Sequence, residues 1–224
     1  METLSLIRLM QLASPALPVG AYTYSQGFEL ALWENIVNDE SSAMDWIRGL
    51  LHGPMGHFEA PVLACLYRAW QKNDLTAVQR LNREYLASRE TSELRAETVQ
   101  MGYSLKRLCV ALPDVALPGL LETEPEPAFP TVFSALAAAW SISCQDTLAG
   151  YLFSWCENQV VTAVKTVPLG QTAGQRLLVQ LGTQLPAIAE NAMTLPESEW
   201  STGAPGFAIA CCRHETQYSR LFRS

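Results

Sequence analysis

His52 and His57 bracket a Gly-Pro-Met-Gly turn, and Glu59 follows two residues later. A chain folded back at that turn would bring two imidazoles and a carboxylate toward one divalent metal ion. Cys211, Cys212 and His214 form a softer cluster. Adjacent cysteines chelate one ion poorly and a single imidazole is near, so four ligands are not encoded locally. Either a partner completes that site, or the two thiols are small apolar residues beneath the segment that follows. The glycines of Leu169-Gly170-Gln171-Thr172-Ala173-Gly174-Gln175 suggest a phosphate loop, but that loop needs Lys and then Ser or Thr where Gln175-Arg176 stands. No Gly-x-Ser-x-Gly elbow occurs. Glu122, Glu124 and Glu126 lie among prolines, a poor frame for paired catalytic carboxylates. The residues read as a chain without an active site: not an enzyme, and with no cofactor.

The elements that must carry these residues are helical, because apolar positions recur at helical spacing and strand alternation is nearly absent. Leu4 to Leu12 predicts a short helix stopped at Ser14-Pro15, followed by a loop with two prolines and two glycines. Ser25 is placed to cap a helix through Phe28 and Val37, and Ser41 or Ser42 to open the next. Pro54 and Gly56 break the chain before a helix from about Pro61, and Asp74 caps another. Arg89 to Leu112 predicts a long helix whose charges, Arg89, Glu90, Glu93, Arg95 and Glu97, read as a solvated face. Residues 112–130, with five prolines and three glutamates, predict an irregular acidic connector. No Lys or Arg occurs from Leu108 to Val164, so helices over Phe129–Trp140 and Leu148–Val160 are expected to form the buried centre. Pro168 ends the second of them. Thr172 and Gln175 have capping-box spacing for a last helix, which Pro186 bends or shortens.

Composition bounds the reading. A 224-residue chain with 49% hydrophobic and 17% charged residues is folded and large enough for a substantial core. A net charge of -7 argues against nucleic acid as a partner. The stretch 127–145 is broken by Pro130 and three serines and does not read as a membrane span. Met1-Glu2-Thr3 has no basic region ahead of an apolar run, so no secretory leader is expected. Six cysteines without framework spacing fit reduced thiols and a cytoplasmic location.

Gly203-Ala204-Pro205-Gly206 marks a break, and residues 213–224 beyond it combine Tyr218, Leu221 and Phe222 at helical spacing with Arg213, Arg220 and Arg223. Such a segment either packs on its own core or orders against another protein. The sequence therefore predicts an all-α, single-domain bundle over 1–204, with an N-terminal loop or hairpin, and a C-terminal docking arm over 205–224.

Three separated stretches resemble one family. They are Ser14-Pro15-Ala-Leu17-Pro18-Val19-Gly20-Ala-Tyr-Thr-Tyr24-Ser25-Gln-Gly27-Phe-Glu29; Arg89-Glu90-Thr-Ser-Glu93-Leu94-Arg95 with Gln100-Met-Gly102; and Lys165-Thr-Val-Pro168-Leu169-Gly170-Gln171 with Gly174-Gln175, completed by His214-Glu215 and Arg220-Leu221-Phe222-Arg223. In this order they are similar to the urease accessory protein UreF family. The resemblance implies an all-α homodimer in the cytoplasm, a scaffold bridging a UreD-like (UreH-like) protein and a UreG-like GTPase. It would regulate GTP-dependent nickel insertion into apo-urease. It also implies that the arm, with His214, Glu215, Tyr218, Arg220, Leu221, Phe222 and Arg223, meets the UreD-like partner. The turn with Lys165, Pro168, Leu169, Gly170 and Gln171, together with the loop carrying Pro15, Pro18, Gly20, Tyr24, Ser25, Gly27 and Glu29, would face the GTPase or line a nickel route. Cys211 and Cys212 lie outside the family pattern. The alternative is a metallochaperone that itself binds nickel through His52, His57, Cys211, Cys212 or His214.

Overall fold

The computed structural model describes residues 2–112, 119, 121 and 124–224. Its elements are helices α1 (Thr3–Leu12), α2 (Phe28–Trp33), α3 (Glu40–Leu50), α4 (Ala60–Gln71), α5 (Leu75–Ala87), α6 (Ser92–Ala111), α7 (Phe129–Ala139), α8 (Cys144–Thr166), α9 (Gln171–Gly182), α10 (Leu185–Thr194) and α11 (Pro205–His214). No strand occurs among the described residues, so the all-α expectation holds. No helix among them is long and apolar enough to cross a membrane. Part of the 112–130 connector, residues 113–118, 120, 122 and 123, falls outside the described residues.

The core follows from two helices that are apolar on nearly every side. All of α7 from Phe129 to Ala137 is buried, as are Val62, Leu63, Ala64, Leu66 and Tyr67 of α4. A helix without a polar face has to be surrounded. Accordingly α7 lies between α4 and α6, while α8 joins α4 to α9 and α10. Along α8, Leu148, Tyr151, Leu152, Cys156 and Val160 face inward, whereas Phe153 remains 38% exposed.

The N-terminus of α7 is knit to its neighbours by polar side chains. Asn82 Oδ1 accepts from Ala128 N at 2.9 Å and from Thr131 Oγ1 at 2.7 Å, and its Nδ2 donates to Glu126 O at 3.0 Å. Thr98 Oγ1 accepts from Phe129 N at 3.1 Å. At the same crossing, a methyl group on Gly102 would lie 1.9 Å from the Pro127 carbonyl oxygen.

Several boundaries differ from expectation for local reasons. The α2 helix stops at Trp33, because Asn35 turns left-handed (φ 59°) and Ile36 N and Val37 N both donate to Ala31 O. Asp39, rather than either serine, caps α3, and Ser42 Oγ bonds back to the Asp39 N–H. Gly170 begins α9, so the Thr172–Gln175 capping box does not form: the Gly170 carbonyl already accepts from Ala173 N and Gly174 N. Pro186 opens a separate helix, where its missing N–H costs nothing. Tyr218, Leu221 and Phe222 form no helical stripe, since helix α11 ends at His214.

Candidate functional site

The segment after α11 is seated on the chain's own body through the Glu29 carboxylate. Glu29 is 5% exposed; its Oε1 accepts from Leu221 N at 2.6 Å and its Oε2 from Phe222 N at 3.0 Å. His214, fully buried, stands between two acids, with Nε2 3.3 Å from Glu29 Oε2 and Nδ1 2.8 Å from Glu93 Oε2. Arg220 pairs with the other oxygen of Glu93. Glu215 Oε1 accepts from Ser92 Oγ at 2.5 Å and from Glu93 N at 3.1 Å, placing a carboxylate at the electropositive start of α6. Those two donors hold the Glu215 carboxyl below its usual range.

Further along, Arg223 N donates to Thr23 O at 2.8 Å, Ser25 N donates to Ser224 O at 2.8 Å, and Ser224 Oγ donates to Glu97 Oε2 at 2.9 Å. The loop receiving this segment needs left-handed glycines at Gly20 (φ 81°) and Gly27 (φ 74°). At Gly27 a side chain would also press on Cys211 Sγ at 3.1 Å. Tyr24, Ser25, Gly27 and Glu29 are therefore buried contact residues, whereas Pro15 and Pro18 face outward. On the tail, Tyr218 and Leu221 direct their side chains to solvent, Leu221 being 80% exposed.

The third resembling stretch closes on the same loop. Lys165, in the last turn of α8, sits with Nζ 5.9 Å from the centroid of the Tyr22 ring. Lys165, Pro168, Gly170 and Gln171 are exposed and Leu169 is half-buried. The structure thus brings the N-terminal loop, the start of α6, the 165–171 turn and the tail to neighbouring positions on one side of the bundle.

Arg89, which precedes α6, and Glu93 and Glu97 within it overturn the solvated-face reading, while Glu90 stays exposed. Arg89 is held in the interior, with Nη1 2.7 Å from Glu59 Oε1 and its guanidinium 4.3 Å from the centroid of the Tyr85 ring; Tyr151 OH donates to Glu59 Oε2 at 3.0 Å. Glu97 is 6% exposed and accepts from Gln26 Nε2 at 2.7 Å, while Gln26 Oε1 accepts from Trp155 Nε1 at 2.7 Å. These groups border a cavity of about 120 Å³ beneath the N-terminal loop, lined in part by Tyr22, Gln26, Glu59, Arg89, Glu97 and Trp155. Helical spacing identified the charges but not their partners, which lie on other elements.

Burial pushes the Glu97 carboxyl up to about 7 from 4.5, against the opposing hydrogen bonds from Gln26 and Ser224. The folded chain then keeps a proton that the unfolded chain releases above about 4.5. Stability falls as pH rises through that interval, by about 3 kcal/mol once the pH is above 7. Glu97→Gln, which is neutral and keeps an amide oxygen for Gln26, is expected to unfold at higher denaturant than the parent at pH 8.5 and to match it near pH 4.5. An equal difference at both values would rule out this titration.

The metal clusters suggested by the sequence are dispersed. Glu59 faces Arg89 and Tyr151 in the interior, Cys211 is buried against Gly27, and Cys212 is exposed. Burial raises the Cys211 thiol far above its ordinary value. Among the described residues, no group of three or more His, Cys, Asp or Glu is arranged to hold a metal ion.

The UreF family model matches residues 37–182. A urease accessory protein UreF from Dechloromonas aromatica is 57% identical over 99% of this chain and 98% of its own length. The chain belongs to the UreF family. Proteins of the same name from an Azoarcus species and from Methylobacillus flagellatus are 58% and 48% identical, over 99% and 98% of this chain and 96% and 98% of their own lengths. In this UreF-family chain, Ser25, Glu29, Arg89, Glu93, His214, Glu215 and Arg220 each join one part of the chain to another.

Proposed function

We propose that this chain is a urease maturation accessory protein, a non-catalytic cytoplasmic scaffold that works as a homodimer. It bridges a UreD-like (UreH-like) protein and a UreG-like GTPase and regulates GTP-dependent nickel insertion into apo-urease. The near full-length match to proteins named urease accessory protein UreF carries this reading. Residues 205–224 serve as the docking element for the UreD-like partner, on a body formed by 1–204. The clasp that the Glu29 carboxylate makes on Leu221 N and Phe222 N supports that role, because it fixes the tail backbone while presenting Tyr218 and Leu221 outward. An ordered presentation lowers the entropy lost on association.

Lys165 and the turn to Gln171 face the GTPase, beside Tyr22 of the N-terminal loop. Control of nucleotide-linked nickel release then requires different affinities for the two nucleotide states of the GTPase.

Capture of separately purified UreD-like and UreG-like proteins tests both assignments. Tyr218→Ala with Leu221→Arg removes exposed side chains and leaves the amides on Glu29 in place. This double variant is expected to weaken UreD-like capture at least about ten-fold, about 1.4 kcal/mol, with unchanged melting. Lys165→Ala is expected to lower UreG-like capture and urease activation, again without a loss of stability. Full capture by either variant removes that surface from the mechanism.

A further inference from the structure

Glu97 of α6 is buried where two segments far apart in sequence meet. Its Oε1 accepts from Gln26 Nε2 of the N-terminal loop at 2.7 Å, and its Oε2 lies 2.9 Å from Ser224 Oγ of the tail. The Gln26 amide is fixed in orientation, because its Oε1 accepts from Trp155 Nε1 at 2.7 Å. A proton on Glu97 therefore sits on Oε2 and is donated to the Ser224 hydroxyl; once the proton leaves, the hydroxyl donates instead. Ser224 is itself 2% exposed, and its carbonyl oxygen accepts from Ser25 N of the same loop at 2.8 Å.

No cation balances this carboxylate. Among the described residues Glu97 makes no ion pair, and Arg89, which acts on it from before α6, is paired with Glu59. The other ionisable groups facing it are the Glu59 carboxylate, Tyr24 of the loop and the Cys211 thiol of α11, while exposed Arg223 stands by Tyr24. Two hydrogen bonds do not replace the hydration of a buried anion. The tail is the smallest piece that can open to restore that water, since Tyr218 is fully exposed and Leu221 nearly so.

We propose that Glu97 is a proton-operated latch for the tail: neutral, it holds Ser224 against the N-terminal loop, and ionised, it releases the tail end to solvent. Burial sets the sign. Seated, the carboxyl keeps its proton up to about 7; open to water, it keeps it only to its ordinary 4.5. Seating therefore weakens as pH rises between those values and levels off above them. The latch concerns seating alone, and stands or falls apart from the docking of a UreD-like protein.

Amide exchange of the full chain at pH 5 and pH 7.5, each rate divided by that of an unstructured peptide, tests the latch. Arg223 N and Ser25 N join tail and loop. Their protection is expected to fall at least about ten-fold between the two pH values, and at both to stay at least about ten-fold below that of the α7 amides. Glu97→Gln is neutral throughout, keeps an oxygen for Gln26 and offers its amide N–H to Ser224. Protection in this variant is expected to change less than about two-fold. His214, Glu29 and Glu93 remain in it, so a fall that they cause persists. Three results overturn the proposal: constant protection in the parent, an equal fall in Glu97→Gln, or tail protection equal to that of α7, which marks release only with the whole bundle. The first and third need the parent chain alone, so the test does not depend on how the variant folds.

Discussion

Gly102→Ala is expected to cost this protein most of its stability, although the same change in an open helix is favourable. In α6 the α-carbon of Gly102 lies against the backbone leading into α7. A methyl group there would stand 1.9 Å from Pro127 O, 2.9 Å from Ala128 C and 3.0 Å from Phe129 N. All three atoms are backbone, so no side chain can swing aside. Relief requires α6 and α7 to separate by more than an ångström, which also pulls Phe129 N from Thr98 of α6. Overpacking of this kind costs about 1–3 kcal/mol where side chains can adjust and more where they cannot. Above about 4 kcal/mol, a large part of a domain's stability is gone. Gly49→Ala supplies the contrast: Gly49 is exposed in α3 with nothing within 4 Å, and the change is expected to gain about 0.5–1 kcal/mol. Denaturant unfolding of the two variants measures both. If Gly102→Ala shifted the midpoint upward like Gly49→Ala, the close crossing would be disproved.

The same crossing shows what the sequence can and cannot convey. A charge-free, largely apolar run with Pro130 in its first turn is enough to place α7 in the core, and Asp74 is legible as a cap because its side chain serves its own helix, accepting from Ala77 N. Interactions between distant positions leave no periodic trace. The charges from Arg89 to Glu97 have the alternation of a solvated face, yet Arg89 meets Glu59, Glu97 meets Gln26 and Ser224, and Glu93 meets His214. Gly102 stood out only through family resemblance, since nothing near it in sequence shows that a second backbone passes over it. The tail misled for a related reason. Tyr218, Leu221 and Phe222 have helical spacing, but so short a segment cannot nucleate a helix unaided, and consecutive amides turn to the Glu29 carboxylate instead. Of the residues that the sequence singled out in the tail and the N-terminal loop, Tyr24, Ser25, Gly27, Glu29 and His214 are turned inward, a role that was not legible.

Glu29→Ala is expected to release the tail while leaving the bundle folded. The substitution removes both oxygens that receive Leu221 N and Phe222 N and one of the two acids beside His214. A buried donor left unpaired costs about 1–3 kcal/mol, so three such groups exceed what a short exposed segment gains by staying seated. Detachment lets the two amides reach water, and this local opening limits the loss in global stability. Amide exchange at Leu221, Phe222 and Arg223 should accelerate by about 10² or more, corresponding to about 3 kcal/mol, with little change in α4 or α7. Glu29→Gln separates acceptor geometry from size. Its Nε2 would stand where Phe222 N needs an acceptor, so a side chain of nearly the same shape should also free the tail. If the clasp presents the docking side chains, both variants must re-order the tail on binding, and capture of the UreD-like protein falls by a comparable factor. Tighter capture by a freed tail would reverse the sign, making the clasp a competitor of the partner. Unchanged exchange at Leu221 and Phe222 in Glu29→Ala would show that the carboxylate does not hold the tail, because no other acceptor among the described residues bonds those two amides.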